Sequence, residues 1–272
     1  MTAGEHSHLA LGGRRWETLR LPAASAGAPT FVLLHEGLGS VSIWRDFPGQ
    51  LAGRTGFGVF TYSRLGYGGS DPDPLPRPTT YLDDEAQRTL PALLDAAGIG
   101  EHILVGHSDG ASIAAVHAGL RADERLRGAV LIAPHFFVEP VTVAGVRAIV
   151  AAFREEGSRE RLARHQGANL DHALEAWSGL WLDPGFAGWN AGEALGRIGV
   201  PLLLIQEEGD PYGSLAQVEY LLQRAPHART LILPGDGHTP HLDQAETVLD
   251  AIAVFAARCV DGAAGGEHAR GS

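Results

Sequence analysis

The stretch that decides the fold is 103–120, Ile-Leu-Val-Gly-His-Ser-Asp-Gly-Ala-Ser-Ile-Ala-Ala-Val-His-Ala-Gly-Leu. A short apolar strand leads into Gly106-His107-Ser108-Asp109-Gly110, and an Ala-rich helical pattern follows. The pattern Gly-x-Ser-x-Gly between a strand and a helix is that of a nucleophile elbow. The glycines permit a sharp turn, which exposes the hydroxyl beside a helix N-terminus whose dipole favours developing negative charge. We therefore predict that Ser108 is a nucleophile.

Short apolar runs of the same kind recur along the chain, separated by longer amphipathic segments. Near-continuous runs of Val, Leu and Ile are typical of strands that are buried on both faces of a parallel sheet. Strand and helix in alternation indicate an α/β sheet with right-handed crossovers. Strands are predicted at 31–35, 58–62, 103–106, 129–133, 202–206 and 230–233, helices at 81–97, 110–121, 214–225 and 244–258, and an edge hairpin at 16–21 with residues near Leu9.

One long interruption of this alternation lies between Ala133 and Leu202. It is helical in pattern and rich in aromatic residues, and a structureless loop of this length is uncommon in a compact domain. We therefore predict an inserted helical cap over one end of the sheet. The predicted divisions are a core of 1–134 and 200–261, a cap of 135–199 and a flexible tail of 262–272.

Two further strand ends supply the partners that a serine nucleophile needs. A neutral Ser hydroxyl requires a base, and the base requires a third group that orients it. The fifth predicted strand leads into Asp210 and the sixth leads into His238. If the strands are parallel, both ends share an edge with Ser108, and Ser…Asp…His is the order expected for a triad on such a sheet. Weaker candidates for the acid are Glu207, Glu208 and Asp236.

Taken together, four blocks of the sequence resemble the α/β-hydrolase superfamily. They are Leu-His-Glu-Gly at 34–37, Ser-Arg-Leu-Gly-Tyr-Gly-Gly-Ser at 63–70, the serine elbow, and Gly-His at 237–238. The chain is similar to a capped serine hydrolase of that fold over roughly 31–257. The resemblance implies a mostly parallel, eight-stranded sheet flanked by helices, an inserted helical cap, and hydrolysis through an acyl-enzyme without a metal. Relatives that dehalogenate haloalkanes or open epoxides carry Asp at the nucleophile, whereas this chain carries Ser.

The same resemblance implies an oxyanion hole made of two backbone N–H groups. One would belong to Asp109, after the nucleophile, and the other to Gly37 in the loop after the first predicted strand, with Leu38 as the alternative. Glu36 stands where the family usually has glycine. A carboxylate that faced the oxyanion would oppose catalysis, because like charges repel strongly in a dry site. We therefore expect Glu36 to point away and to pair with Arg64.

Several residues near the predicted strand ends and in the cap are candidates for the walls of a substrate site. They are Glu36, Leu38, Trp44, His135, Trp177 and Trp181. Each has a structural alternative: helix packing for Trp44, a hydrogen-bonded structural ring for His135, and packing of the cap on the core for the two cap tryptophans. The aromatic content of the cap favours a pocket for an apolar acyl group.

Composition and motifs exclude several classes of function. The chain has 32 acidic against 21 basic residues, so its formal charge of −11 disfavours nucleic-acid binding. It has no lysine, which excludes a Walker A loop and a Schiff-base amine. A single cysteine, Cys259, excludes an internal disulfide and a cysteine-rich zinc site. The pair His238 and His241 lacks carboxylates at metal-ligand spacing, so we expect neither metal nor cofactor.

We expect a cytoplasmic protein, since neither a secretory leader nor an apolar run long enough to span a membrane is evident. The leading hypothesis is hydrolysis of a carboxylic ester, thioester or lactone of a small apolar acyl substrate, and a homodimer is left open. One alternative is carbon–carbon bond hydrolysis of a dienoic ketoacid, which needs a cation for the substrate carboxylate. Residues that could supply it are Arg147, Arg154, Arg159, Arg161 and Arg164. Acyl transfer, or ligand binding on a non-catalytic hydrolase scaffold, also stays open.

Overall fold

The computed structural model describes residues 4–153 and 155–267, with side chains except at 156 and 261–267. Its centre is one sheet of eight strands. They are β1 (Glu5–Leu11), β2 (Arg14–Leu21), β3 (Thr30–Leu34), β4 (Gly58–Tyr62), β5 (His102–His107), β6 (Leu126–Ile132), β7 (Leu202–Glu207) and β8 (Arg229–Leu233). The predicted edge hairpin is present as β1 and β2, in which Leu9 lies opposite Trp16.

The strand order in the sheet is β1-β2-β4-β3-β5-β6-β7-β8. β2 runs antiparallel to both of its neighbours, and every other pair in the sheet is parallel. The predicted mostly parallel, eight-stranded α/β architecture is therefore confirmed. As a result, the carboxyl ends of β3 to β8 lie at one edge of the sheet. The carboxyl end of β5, which leads into Ser108, is near the middle of that edge.

Helices and short helical turns connect the strands. The α-helices are α1 (Phe47–Thr55), α2 (Tyr81–Asp84), α3 (Leu90–Ala96), α4 (Asp109–Leu120), α5 (Pro140–Ala152), α6 (Glu156–Gln166), α7 (Leu170–Trp181), α8 (Gly192–Leu195), α9 (Ala216–Arg224), α10 (Pro240–Asp243) and α11 (Ala245–Glu267). A π-helical turn spans Glu85–Thr89, and 3-10 turns span Val41–Trp44 and Gly167–Asn169. Of the tail predicted for 262–272, residues 268–272 lie outside the described chain.

Both faces of the sheet are covered because alternate side chains of each strand point to opposite sides. On β3, Val32 and Leu34 pack in an apolar cluster with α3, α4 and α9. Phe31 and Leu33 of the same strand pack in a second cluster with α1 and α11. This double burial accounts for the continuous apolar runs from which the inner strands were predicted.

The segment between β6 and β7, which we call the β6–β7 segment (135–199), contains α5, α6, α7 and α8. α7 buries an apolar stripe that includes Trp177, Leu180 and Trp181. The indole Nε1 of Trp181 donates a hydrogen bond to Asp109, the first residue of α4 (3.0 Å). The segment therefore reaches the carboxyl edge of the sheet. In the described chain no helix combines the length and apolar character that crossing a membrane requires.

Candidate active site

The turn between β5 and α4 holds Ser108 in a conformation that is unusual for a residue with a side chain. Its backbone angles are φ 53° and ψ −117°, and such a conformation costs about 1–3 kcal/mol unless its surroundings hold it. The Ser108 N–H donates to the carbonyl of Ile132 on the neighbouring strand (2.9 Å). A Cβ at Gly106 would overlap the backbone of Gly110, and one at Gly110 would overlap the carbonyl of Leu34. Both glycines are thus needed for close backbone approach.

His238 and Asp210 form a hydrogen-bonded pair at the same edge of the sheet. His238 Nδ1 donates to Asp210 Oδ2 at 2.7 Å. Asp210 Oδ2 also accepts from Gln206 Nε2 at 2.9 Å, and Oδ1 accepts from the N–H groups of Tyr212 (2.8 Å) and Gly213 (3.3 Å). Burial would raise the pKa of Asp210, but the bonds from His238 and Tyr212 outweigh burial and lower it. The carboxylate is therefore ionised, and it holds the imidazole with its lone pair on Nε2.

Ser108 and His238 line one cavity of about 230 Å³. The cavity is bounded by the loop after β3 (35–39), the serine turn between β5 and α4, α5, α7 and the loops after β7 and β8. Its walls are Glu36, Gly37, Leu38, His107, Ser108, Asp109, His135, Thr142, Val146, Ile149, Trp177, Trp181, Tyr212, His238 and Thr239. In the described chain no hydrogen bond joins the Ser108 hydroxyl to His238. Such contacts commonly tighten only when substrate is bound.

Gly37, Leu38 and Asp109 line this cavity, and no carbonyl or carboxylate of the described chain accepts a hydrogen bond from their backbone N–H groups. The loop after β3 is fixed by Gln166, whose Nε2 donates hydrogen bonds to the carbonyls of Leu38 and Gly39. The indole of Trp177 occupies the space that a side chain at position 37 would need. The backbone N–H groups at both predicted positions are therefore without a partner in the described part of the chain.

The expected pair between Glu36 and Arg64 does not form. The Arg64 guanidinium donates instead to the backbone carbonyls of His35 (2.9 Å) and Glu36 (2.8 Å). It also lies 3.8 Å from the Asp109 carboxylate. Arg64 is buried below the loop, where those carbonyls and Asp109 surround it, whereas Glu36 is one of the residues that line the cavity.

Glu36 faces His107, the residue before Ser108. Glu36 Oε2 lies 3.6 Å from His107 Nδ1, and His107 Nε2 donates to the backbone carbonyl of His238 at 2.7 Å. Burial would raise the pKa of Glu36, but the neighbouring His107 outweighs burial and lowers that pKa. His107 thus lies between the loop after β3 and the loop that carries His238, and it is hydrogen-bonded to the second of them.

The other predicted wall residues separate into two groups. His135, Trp177 and Trp181 line the cavity, and the His135 ring stacks on His238 with 5.8 Å between ring centres. Burial lowers the pKa of His135 to about 3, so this ring is neutral. Trp44 does not line the cavity: it is fully buried and packs 5.0 Å from the ring of His241.

Several wall residues were absent from the sequence-based candidates. Thr142, Val146 and Ile149 come from one face of α5, and Tyr212 and Thr239 flank Asp210 and His238 in the chain. The α5 residues follow the spacing i, i+4, i+7 of an amphipathic helix. That periodicity was the available signal, although it does not by itself distinguish a pocket wall from a core contact.

A comparison with known families agrees with this geometry: the model described as Alpha/beta hydrolase family matches residues 31–251. The chain belongs to the alpha/beta hydrolase family. Among solved structures, it is similar to an enol-lactonase from Burkholderia xenovorans LB400, at 20% identity and a TM-score of 0.69 over 92% of this chain and 99% of that one. It is also similar to a thermophilic esterase from Thermogutta terrifontis, at 18% identity and 0.70 over 94% and 99%. A proline iminopeptidase from Mycobacterium smegmatis is 18% identical, at 0.69 over 95% and 100%. Identities this low indicate a shared fold alone.

Proposed function

We propose that this chain is a serine hydrolase that cleaves a carboxylic ester, thioester or lactone through an acyl-enzyme. The observation that carries the proposal is the His238–Asp210 pair, in which His238 lines the same cavity as Ser108 on its strained turn. Acyl transfer requires a nucleophilic serine, an oriented imidazole and backbone N–H donors around one site.

In the proposed reaction, Ser108 Oγ attacks the substrate carbonyl while His238 Nε2 takes the hydroxyl proton. Asp210 holds the imidazolium that forms. The oxyanion accepts hydrogen bonds from the N–H of Asp109 and from that of Gly37 or Leu38, each worth about 3 kcal/mol to the transition state. His238 then returns the proton to the leaving group. Water, activated by the same imidazole, hydrolyses the acyl-enzyme and releases Ser108.

The cavity favours a short, uncharged acyl group. Its volume of about 230 Å³ lies below the roughly 300–1,000 Å³ of sites for drug-sized ligands. Its walls include the acidic side chains of Glu36 and Asp109 and, within the described chain, no arginine. This favours an ester over a dienoic ketoacid, whose carboxylate would need a cation. We propose that the β6–β7 segment acts as the cap, because α5 and α7 supply the apolar wall.

The test is hydrolysis of p-nitrophenyl esters from acetate to decanoate by the wild type and by Ser108→Ala. We expect the short esters to react fastest and Ser108→Ala to lose at least about 10⁴-fold in kcat. Ser25→Ala, an exposed serine far from the cavity, is the matched control and should keep full activity. A fluorophosphonate should label the wild type on the peptide that contains Ser108.

Turnover by Ser108→Ala within tenfold of the wild type would refute the nucleophile. A wild type that neither hydrolyses any ester nor reacts with the fluorophosphonate would refute the hydrolase itself and favour a ligand-binding protein.

A further inference from the structure

A second group of polar side chains is buried at the opposite end of β5 from Ser108. His102 begins β5, His117 lies near the end of α4, and Asp123 lies in the turn between α4 and β6. One nitrogen of each ring and one carboxylate oxygen lie within 4.8 Å of one another. The Nε2 atoms of His102 and His117 are 3.9 Å and 3.8 Å from Asp123 Oδ2. Both rings are fully buried.

The hydrogen bonds of the two rings fix which nitrogen can act as a ligand. His102 Nδ1 contacts the carbonyl of Gly100 at 2.9 Å, and His117 Nδ1 contacts the carbonyl of Ala86 at 2.9 Å. A carbonyl only accepts, so each Nδ1 carries a hydrogen, and the Nε2 of each neutral ring carries a lone pair. Neither Nε2 has a hydrogen-bond partner. Two buried acceptors without partners are unfavourable unless something else binds them.

The Asp123 carboxylate is turned toward this pair by Arg125. Oδ1 accepts from the Arg125 backbone N–H (3.0 Å) and Nε (2.9 Å), and Oδ2 accepts from Nη2 (3.1 Å). The distances from Oδ2 to the two rings are too long for hydrogen bonds. Two ligand atoms of a tetrahedral zinc ion, each about 2.1 Å from the metal, lie about 3.4 Å apart. The three ligand atoms here lie within 4.8 Å of one another, so they would move closer together on binding.

We propose that His102, His117 and Asp123 bind a Zn²⁺ ion or a similar divalent transition metal. Two imidazole nitrogens and one carboxylate oxygen are ligands that zinc accepts, and water from the surface cleft that Asp123 lines would complete a tetrahedral set. The carbonyls of Gly100 and Ala86 orient the rings as partners of metal-bound histidines do.

The ion would be structural and not catalytic. It would join the start of β5, the end of α4 and the turn before β6. The six residues of β5 separate it from the Ser108 end of the strand by about 20 Å. The proposed hydrolysis therefore does not depend on it, and the two proposals fail or succeed separately.

The test uses the untagged full-length protein after EDTA treatment and dialysis, titrated calorimetrically with ZnCl₂ and monitored by thermal unfolding. We expect one equivalent to bind and Tm to rise by about 5 °C at a free zinc concentration of 100 times Kd. Co²⁺ should give the visible absorption of a tetrahedral complex. His117→Asn and Asp123→Asn should each lose the bound equivalent and the rise in Tm.

His238→Asn is the control for zinc held by the histidines around the active site, and it should keep the bound equivalent. The proposal would be overturned if the wild type bound no zinc. It would also be overturned if His238→Asn lost the bound zinc while Asp123→Asn kept it. If His117→Asn does not fold, Asp123→Asn decides, because an Asn there can still accept from Arg125 while its charge is gone.

Discussion

Replacement of Asp210 by Asn tests how the site orients its base, because the side chain keeps its shape and loses one acceptor. Oδ1 accepts from two backbone N–H groups that cannot turn, so the new NH₂ group must take the place of Oδ2. There it faces Gln206 and His238. Gln206 can reverse its amide, since its Oε1 is buried without a partner. His238 must then accept at Nδ1, which moves its proton to Nε2.

An imidazole with its proton on Nε2 cannot take the proton of Ser108. We therefore expect Asp210→Asn to lower kcat for the best p-nitrophenyl ester by about 10⁴-fold, which is about 5 kcal/mol of transition-state stabilisation. The fold should persist at a small cost, because reversal of Gln206 gives up the hydrogen bond from its Nε2 to the carbonyl of Gly213 (3.2 Å). Differential scanning calorimetry should show a Tm within about 5 °C of the wild type.

Glu207→Gln is the matched control. Glu207 accepts from the N–H of Gly237 (2.6 Å) and from Gln244 Nε2 (3.0 Å), so it supports the same loop without touching the imidazole. We expect this variant to lose less than tenfold in kcat. If Asp210→Asn keeps more than a tenth of the wild-type kcat, or if Glu207→Gln loses as much as Asp210→Asn, the assignment of the acid is refuted.

Three further predictions concern charge and packing. Burial raises the pKa of Glu85 to about 7, above its unfolded value, so the free energy of unfolding should fall on the order of 3 kcal/mol between pH 5 and pH 8. Urea unfolding of Glu85→Gln should show a smaller fall, and an unchanged fall would contradict the argument. The pKa of Glu36 is lowered beside His107, so Glu36→Gln should lower Tm by about 2 °C at pH 7. The difference should shrink as the pH falls from about 4 through the lowered pKa of Glu36, and equal Tm values at pH 7 would refute a stabilising pair. Gly110→Ala should fail to give folded protein in expression trials, because its Cβ would overlap the backbone at the end of β3. The control is Gly179→Ala on the open face of α7, which should be stabilised by about 0.5–1 kcal/mol. A stable Gly110→Ala variant would refute the packing argument.

The sheet could be predicted closely because burial on both faces leaves a plain signal in the sequence. The predicted strand at 58–62 coincides with β4. β6 begins earlier than the apolar run at 129–133, at Leu126, because Arg127 and Gly128 interrupt the run inside the strand. The Ser108 turn was also predictable, because close backbone contacts require glycine at 106 and 110, and this requirement appears in the sequence as the Gly-x-Ser-x-Gly motif.

Side-chain direction was not predictable in this way. Strand order does place Arg64 and Glu36 at adjacent strand ends, but the guanidinium turns to backbone carbonyls, which carry no signal in the sequence. The same limit applies to Trp44, which packs inward beside α1. His102, His117 and Asp123 follow no common metal-binding spacing, and only the packing of α4 on β5 brings them together.

The order of the reactive groups along the chain also has a practical consequence. Ser108 precedes the β6–β7 segment, whereas Asp210 and His238 follow it, and the two parts of the chain meet where β6 pairs with β7. Cleavage in the exposed turn at 183–185 would leave the proposed nucleophile on one fragment and its proposed base on the other. If the proposed function holds, neither fragment alone should turn over an ester, and recovered turnover would report their reassembly. The chain therefore offers the two halves of a complementation reporter.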